Sequence, residues 1–325
     1  MRVTTAEAPE HRDLAADLNS WFGTHARPLP WRMPSTTPWA VLVSEVMSQQ
    51  TPVARVAPLW EAWMDRWPTP ADLARAERAD VLRMWANLGY PRRALRLREC
   101  AVGVVNNFDA QLPTHVSDLL TLPGVGAYTA RAVAAFALEQ AVPVVDTNVR
   151  RVYKRLVRGE FLQGSAKARD LADVAALLPY LDEDPAVRKQ APELYEERSD
   201  PAYKEAALTM CVALMELGAL VCTATNPACD QCPVREHCRW VALGKPEPSE
   251  EEQAAATQRV QKFAGTDRQV RGKVMALLRS AGPEGVDREA INDVWPKKVQ
   301  LWRAVDSLVA DGLAIEENNS FSLPR

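Results

Sequence analysis

Two carboxylates, four cysteines and one glycine turn have types and spacing that could do chemistry. Glu45 sits in the middle of TPWAVLVSEVMSQQT, a run that is apolar on every side of a helix at Trp39, Ala40, Val41, Leu42, Val43, Val46 and Met47. Burial disfavours a charged carboxylate, so Glu45 is expected to have a raised pKa. It either pairs with a buried arginine or stays protonated near neutral pH as a general acid. Asp146 precedes Thr147-Asn148-Val149-Arg150-Arg151 in the manner of a helix N-cap. Amide hydrogen bonds at a cap should hold it ionised. One protonated and one ionised carboxyl would be two carboxylates with separated roles.

The cysteines Cys222, Cys229, Cys232 and Cys238 read C-x6-C-x2-C-x5-C. With no export signal this reads as a metal site rather than a disulfide set. Zinc and an iron–sulfur cluster both accept four thiolates, and the spacing alone does not separate them. Cys100 and Cys211 fall in helical patterns as buried thiols. Leu122-Pro123-Gly124-Val125-Gly126 joins two helical patterns. Its glycines permit a tight turn, and the N–H groups of Gly124, Val125 and Gly126 open the next helix, where the dipole favours an anion. An ordinary helix–helix corner would use the same glycines.

The elements that must position these residues are helical. The chain has 325 residues, 47% of them hydrophobic, and is rich in Ala, Leu, Arg and Glu with few alternating runs. That predicts a mainly α protein of two or three domains. No run is apolar for long enough to span a bilayer, and the N-terminus does not read as a signal peptide, so a cytoplasmic, nucleoid-associated location is expected. Net charge is −3, but base collects at Arg92, Arg93, Arg96 and Arg98, and again at Arg150, Arg151, Lys154, Arg155 and Arg158. Either run alone is a solvated face. Both together, beside a phosphate-binding turn, favour a nucleic-acid surface.

LPGVG followed by VVDTNVRRV resembles the helix-hairpin-helix DNA glycosylases. SEVMSQQT narrows the resemblance to the adenine DNA glycosylases of the MutY type, whose signature is SEVMLQQT; Ser48 departs from it. The resemblance implies a DNA-repair enzyme acting as a monomer on double-stranded DNA that contains an adenine mispair, and it implies that the C-x6-C-x2-C-x5-C loop holds a [4Fe–4S] cluster. Glu45 then protonates adenine, and Asp146 faces the sugar, with Tyr128 and Asn148 in the same catalytic group. Gly124, Val125 and Gly126 hold a phosphate. Gln49, Gln50 and Thr51 probe the space opposite the flipped adenine, and Leu88, Tyr90 and Arg92 lie on the DNA, with Tyr90 wedging in beside 8-oxoguanine. Trp31, Arg32 and Glu216 are assigned to the adenine pocket. Endonuclease III-like relatives carry a nucleophilic lysine where this chain has Tyr128, so monofunctional excision is expected.

The resemblance covers about residues 14 to 243. It implies an iron–sulfur domain from residues 1–30 plus 145–243 and a six-helix domain at 31–144. A charged, Pro-bearing linker follows at 244–265. Residues 266–325 read helix, helix, helix, hairpin, with Asn318-Asn319-Ser320 as the turn, which suggests a winged helix in place of a Nudix-like reader. Two other functions fit parts of the chain: a related glycosylase with a different mispair or lesion preference, and a non-enzymatic metal-sensing DNA-binding regulator, which leaves Glu45 and Asp146 without work.

Overall fold

The computed structural model describes residues 11–257 and 263–325. Residues 1–10, and residues 258–262 of the linker, lie outside them. In chain order the first helices are α1 (His11–His25), α2 (Pro38–Ser48), α3 (Val53–Arg66), α4 (Pro70–Arg75), α5 (Arg78–Trp85) and α6 (Arg92–Asn107). Next come α7 (Val116–Leu119), α8 (Ala127–Ala137), α9 (Thr147–Tyr153), α10 (Asp170–Ala175), α11 (Pro185–Gln190) and α12 (Leu194–Glu197). They are followed by α13 (Lys204–Leu220), α14 (Arg239–Ala242) and α15 (Glu250–Thr257). The chain closes with α16 (Asp267–Ser280), β1 (Val286–Asp287), α17 (Arg288–Asp293), α18 (Lys298–Ala310), β2 (Ile315–Glu317) and β3 (Ser320–Ser322). The mainly helical class follows the sequence reading. Trp31 lies in a 3-10 turn, Pro30–Arg32. Contacts divide the chain into two units, one of Met1–Leu29, Thr114–Leu120 and Gly126–Arg259, the other of Pro30–Pro113, Thr121–Val125 and Val260–Arg325.

In the first unit α13 packs against α1, α8 and α9. Gly218 permits the α9 contact, because a Cβ there would lie 2.7 Å from the Cβ of Asn148. Glu216, fully buried on α13, accepts from the backbone N–H and the guanidinium of Arg27, each at 2.8 Å. That pairing raises the Arg27 pKa. A second buried pair, Arg131 with Asp184 at 2.7 Å, ties α8 to the N-cap of α11. Removing one partner from such a pair costs far more than replacing both.

In the second unit α2 is enclosed by α3, α6 and the Pro30–Arg32 turn. Thr37 caps its start by accepting from the Ala40 amide at 3.2 Å, and Pro38 at the first position needs no partner for a missing N–H. Every residue from Trp39 to Met47 is buried, as expected of a helix apolar all round. Trp60 donates its indole N–H to the Ala40 carbonyl, and its ring meets Trp31 edge-on with centroids 5.7 Å apart.

The C-terminal segment belongs to this second unit. Its sheet order is β1-β3-β2, all antiparallel, packed with α16 and α18 in a winged-helix arrangement. Asn318 and Asn319 both have positive φ, the requirement of a two-residue hairpin turn. Trp302 is part of this packing, its ring tilted against Phe321 with centroids 5.7 Å apart and the Arg288 guanidinium 3.8 Å from its own ring centroid. α16 also packs on α5. Two residues of periodicity are too few to read as a strand, and β1 was not expected.

Candidate active site

Glu45 lies in the third turn of α2 and is 8% exposed. The C-terminal carbonyls of that helix are orphans in need of donors. Arg93, from the first turn of α6, supplies them: its Nη1 donates to the carbonyls of Val46 at 2.8 Å and Gln49 at 2.7 Å. Its Nη2 reaches the carbonyls of Leu88 and Gly89, each at 3.2 Å. One guanidinium therefore joins the end of the Glu45 helix to the turn that carries Tyr90. Burial lowers the Arg93 pKa, though an arginine stays charged. The sequence reading placed Arg93 in a basic run and missed this role; nothing in residue order tells which way the side chain points.

Beyond α2 the backbone is irregular. Gln50 takes φ 54, a left-handed conformation uncommon outside glycine. Thr51 is buried and donates to the Leu88 carbonyl at 3.2 Å. Gln49 and Gln50 are progressively more exposed. Tyr90 has φ 48 and is 46% exposed, at the tip of a turn in which the Trp85 indole donates to the Gly89 carbonyl at 2.9 Å. Leu88 is buried, not on the surface, while Arg92 is exposed and pairs with Asp311 at 3.1 Å.

The glycine turn is built as its residue types require. Gly124 has φ 79, and a Cβ there would lie 2.9 Å from the Cβ of Arg96. Only glycine allows the turn to approach α6 this closely. The Val125 side chain is buried as an anchor, and its N–H donates to the Leu122 carbonyl at 3.1 Å. That amide closes the turn, so of the three amides expected to face an anion this one is already engaged. Gly124 and Gly126 are exposed, and Gly126 is the N-cap of α8.

Asp146 caps α9, accepting from the Val149 amide at 2.7 Å and from the Asn148 side chain at 2.8 Å. Asn148 in turn accepts from Arg151 at 2.8 Å, and Arg151 donates to the carbonyls of Gly218 and Cys222. A continuous set of hydrogen bonds thus runs from Asp146 to the first cysteine of the loop. The cap was expected to depress the Asp146 pKa. The structure gives the opposite direction: burial raises it, and the Val149, Asn148 and Arg151 contributions only partly offset that. Desolvation of the carboxylate outweighs its hydrogen bonds here.

Four thiols line one pocket with Arg155 and Trp240. Arg155, in the π-helical turn Lys154–Arg158 that extends α9, is 2% exposed. It donates to the carbonyls of Phe161, Thr223 and Ala224 and lies 3.3 Å from the Cys222 Sγ. The donor set is soft and all sulfur, which suits an iron–sulfur cluster. Cys222, Cys229, Cys232 and Cys238 all face this one pocket. Arg155 offers a cation beside them. This also corrects the expectation that residues 150–158 form a DNA surface: Arg151 and Arg155 are buried and hold the cysteine loop, and Arg150 pairs with Asp170 at 3.0 Å.

The remaining expected residues fall as follows. Tyr128 on α8 has its hydroxyl 3.9 Å from the Met215 sulfur. Trp31 is buried against Trp60, and Arg32 is half-buried. Glu216 has both oxygens engaged by Arg27, and no base contact is assigned to it. Among the described residues no helix is long and apolar enough to cross a membrane.

Residues 43–169 match the family model of HhH-GPD superfamily base excision DNA repair proteins, and residues 222–238 match that of the iron–sulfur binding domain of endonuclease III. The cluster held by the four cysteines is the [4Fe–4S] of these proteins. An adenine DNA glycosylase of Mycolicibacterium smegmatis is 49% identical over 298 residues, covering 91% of each chain. The human adenine DNA glycosylase is 40% identical over 235 residues, 68% of this chain and 38% of that one. Among solved structures, a thermostable thymine-DNA glycosylase superposes with a TM-score of 0.55 at 20% identity, covering 72% of this chain and 97% of the other. Endonuclease III in a non-covalent DNA complex does so with 0.53 at 19%, covering 72% and 95%. At such identities these structures share the fold. With the motifs on their expected elements and half the residues shared along nine-tenths of a full-length relative, the chain belongs to the adenine DNA glycosylase family of helix-hairpin-helix base-excision repair proteins.

Proposed function

We propose that this enzyme, a DNA glycosylase, excises adenine mispaired with 8-oxoguanine or guanine from double-stranded DNA, as a monomer in the nucleoid and without cutting the strand. The observation that carries this reading is the buried carboxylate of Glu45 in helix α2, set in the SEVMSQQT motif of a chain so similar to known adenine DNA glycosylases.

In this reading Glu45 gives a proton to the purine, and the bonding pair of the N-glycosidic bond leaves with adenine. Positive charge develops on the sugar ring, and ionised Asp146 offsets it. Water adds at the same carbon and leaves an abasic site. Asn148 orients Asp146 through the 2.8 Å hydrogen bond. Gly124 and Gly126 present exposed backbone at a turn preceding α8, which suits a DNA phosphate. Gln50, Thr51 and Tyr90 read the base opposite the excised adenine. Filling the gap left by a flipped base with an aromatic ring offsets part of the lost stacking. Tyr128 is a phenol, so the amine needed for a Schiff base is missing at that position and the strand stays intact. The four cysteines and Arg155 hold the cluster, which organises the loop after α13; no chemical step is assigned to it. Residues 1–30 with 145–243, residues 31–144 and residues 266–325 are the functional divisions in this reading, joined by a linker at 244–265.

The test is excision on a panel of defined mispairs under single-turnover conditions. Adenine release opposite 8-oxoguanine and guanine is expected, with the strand breaking only after alkali. Efficient borohydride trapping of the wild type would contradict the monofunctional reading.

A further inference from the structure

We infer that Arg268, in the C-terminal segment, is a positioning residue for Tyr90, through which that segment contributes to mispair preference. The inference rests on the reading of Tyr90 as the residue beside the base opposite adenine.

The backbone of the Tyr90 turn is held within its own unit by Arg93 and by the Trp85 indole. Those bonds fix carbonyls and leave the ring, which is nearly half exposed, to be oriented by other groups. The Arg268 guanidinium donates to the Tyr90 hydroxyl at 2.8 Å, with its carbon 5.9 Å from the ring centroid. Arg93 lies 5.6 Å from the same centroid. Tyr90 therefore has a cation near its ring from α6 and a donor at its hydroxyl from α16.

Arg268 is itself stationed. It lies in the first turn of α16, which packs on α5, and the Phe263 ring is 5.1 Å from its guanidinium carbon. One turn further along α16, Arg271 binds Asp311 at 2.6 Å, and Asp311 also receives Arg92 at 3.1 Å. Arg78 on α5 reaches the Gly312 carbonyl at 3.4 Å. These contacts hold the start of α16 against the turn that carries Tyr90.

An aromatic wedge works best when its ring is already placed, because orienting it on binding costs entropy. A guanidinium bonded to the phenol oxygen restricts both side-chain torsions of an exposed tyrosine. It does so without covering the ring, which remains available to a base step. A bare surface cation would instead strengthen binding to every duplex alike, through phosphates. The two cases differ in what they do to the ratio of affinities for different mispairs.

The experiment uses the full-length, cluster-loaded protein. Dissociation constants are measured for duplexes that carry an uncleavable 2′-fluoro-adenosine opposite 8-oxoguanine or opposite guanine. Variants are Arg268→Ala, Arg268→Lys, Tyr90→Phe, Tyr90→Ala and the double Arg268→Ala with Tyr90→Phe, with iron content and melting temperature as controls. Arg268→Ala and Tyr90→Phe should each lower the preference for 8-oxoguanine by about three- to tenfold. The double variant should lower it no further than either single one, and Arg268→Lys, which keeps a donor, should recover part of it. If Tyr90→Ala removes the preference while Arg268→Ala weakens both duplexes equally, or if the two single effects add in the double variant, the inference is wrong and the reading of Tyr90 stands. If Tyr90→Ala leaves the preference intact, that reading fails and the inference fails with it. Tyr90→Phe leaves every residue of α16 unchanged, so a folding defect in an Arg268 variant cannot mask the outcome.

Discussion

Glu45 and Asp146 are both carboxylic acids, and the proposed mechanism gives them different parts. Glu45→Gln keeps the shape of the side chain and cannot deliver a proton. It should bind an adenine mispair about as wild type does and lose excision by about 10²- to 10⁴-fold under single-turnover conditions. Asp146 is the case where burial raises a pKa despite capping bonds. A carboxyl whose folded pKa is raised contributes stability that is present below the ordinary carboxylate range and is lost as pH rises through the folded value. At neutral pH the ionised Asp146 is therefore a cost to folding. Asn also caps helices well, so Asp146→Asn should melt no lower than wild type at neutral pH, with the difference shrinking in acid, while excision is severely impaired. Excision by the wild type should fall as pH drops through the raised Asp146 value. Asn148→Ala removes a bond that favours the ionised form, so it should move this acid limb to higher pH. The candidate residues could be named in advance because motif and residue type point to chemistry directly. The direction of the Asp146 shift was not, because a cap can be read from order in the chain but desolvation depends on what surrounds it.

At the scale of elements, α2 shows what periodicity contains and what it lacks. The all-round apolar pattern marked its burial, and that burial appears in the structure. What secures its end is Arg93, from a different helix. Arg93→Ala should leave carbonyls of Val46, Gln49, Leu88 and Gly89 short of a donor and cost about 2 kcal/mol. Urea unfolding measures the loss, and excision should fall with it because the turns that carry Gln50 and Tyr90 share this anchor. A loss within error of zero would mean that water replaces the guanidinium. The basic run at 150–158 was misjudged for the same reason. Counting charge along a helix does not reveal that Arg151 and Arg155 turn inward to carbonyls of a loop some 70 residues away. The hairpin at Asn318-Asn319 was readable from its two residues alone, since its requirement is local.

On the scale of the whole molecule, the helical class, the four-cysteine loop and the helices of the C-terminal segment could be read in advance. The grouping of that segment with α2 to α6 in one unit could not, because it rests on contacts such as Arg268 with Tyr90 and Arg92 with Asp311, which leave no periodic signal. The cluster gives a global test of its own. Protein purified without oxygen should be yellow-brown and hold iron and sulfide in equal amounts. Arg155→Ala, which removes bonds to the loop carbonyls of Thr223 and Ala224 and one to the Phe161 carbonyl, should lower iron per chain and melting temperature together; full iron retention would limit Arg155 to packing. The central claim is that this chain breaks the bond between adenine and deoxyribose by means of Glu45. The most direct measurement is single-turnover release of adenine from a duplex with adenine opposite 8-oxoguanine, comparing wild type with Glu45→Gln at equal cluster loading. The account predicts rapid release by the wild type, leaving an unbroken abasic strand, and almost none by the variant. Equal rates for the two, or a wild type that binds this duplex and leaves its adenine in place, would contradict it.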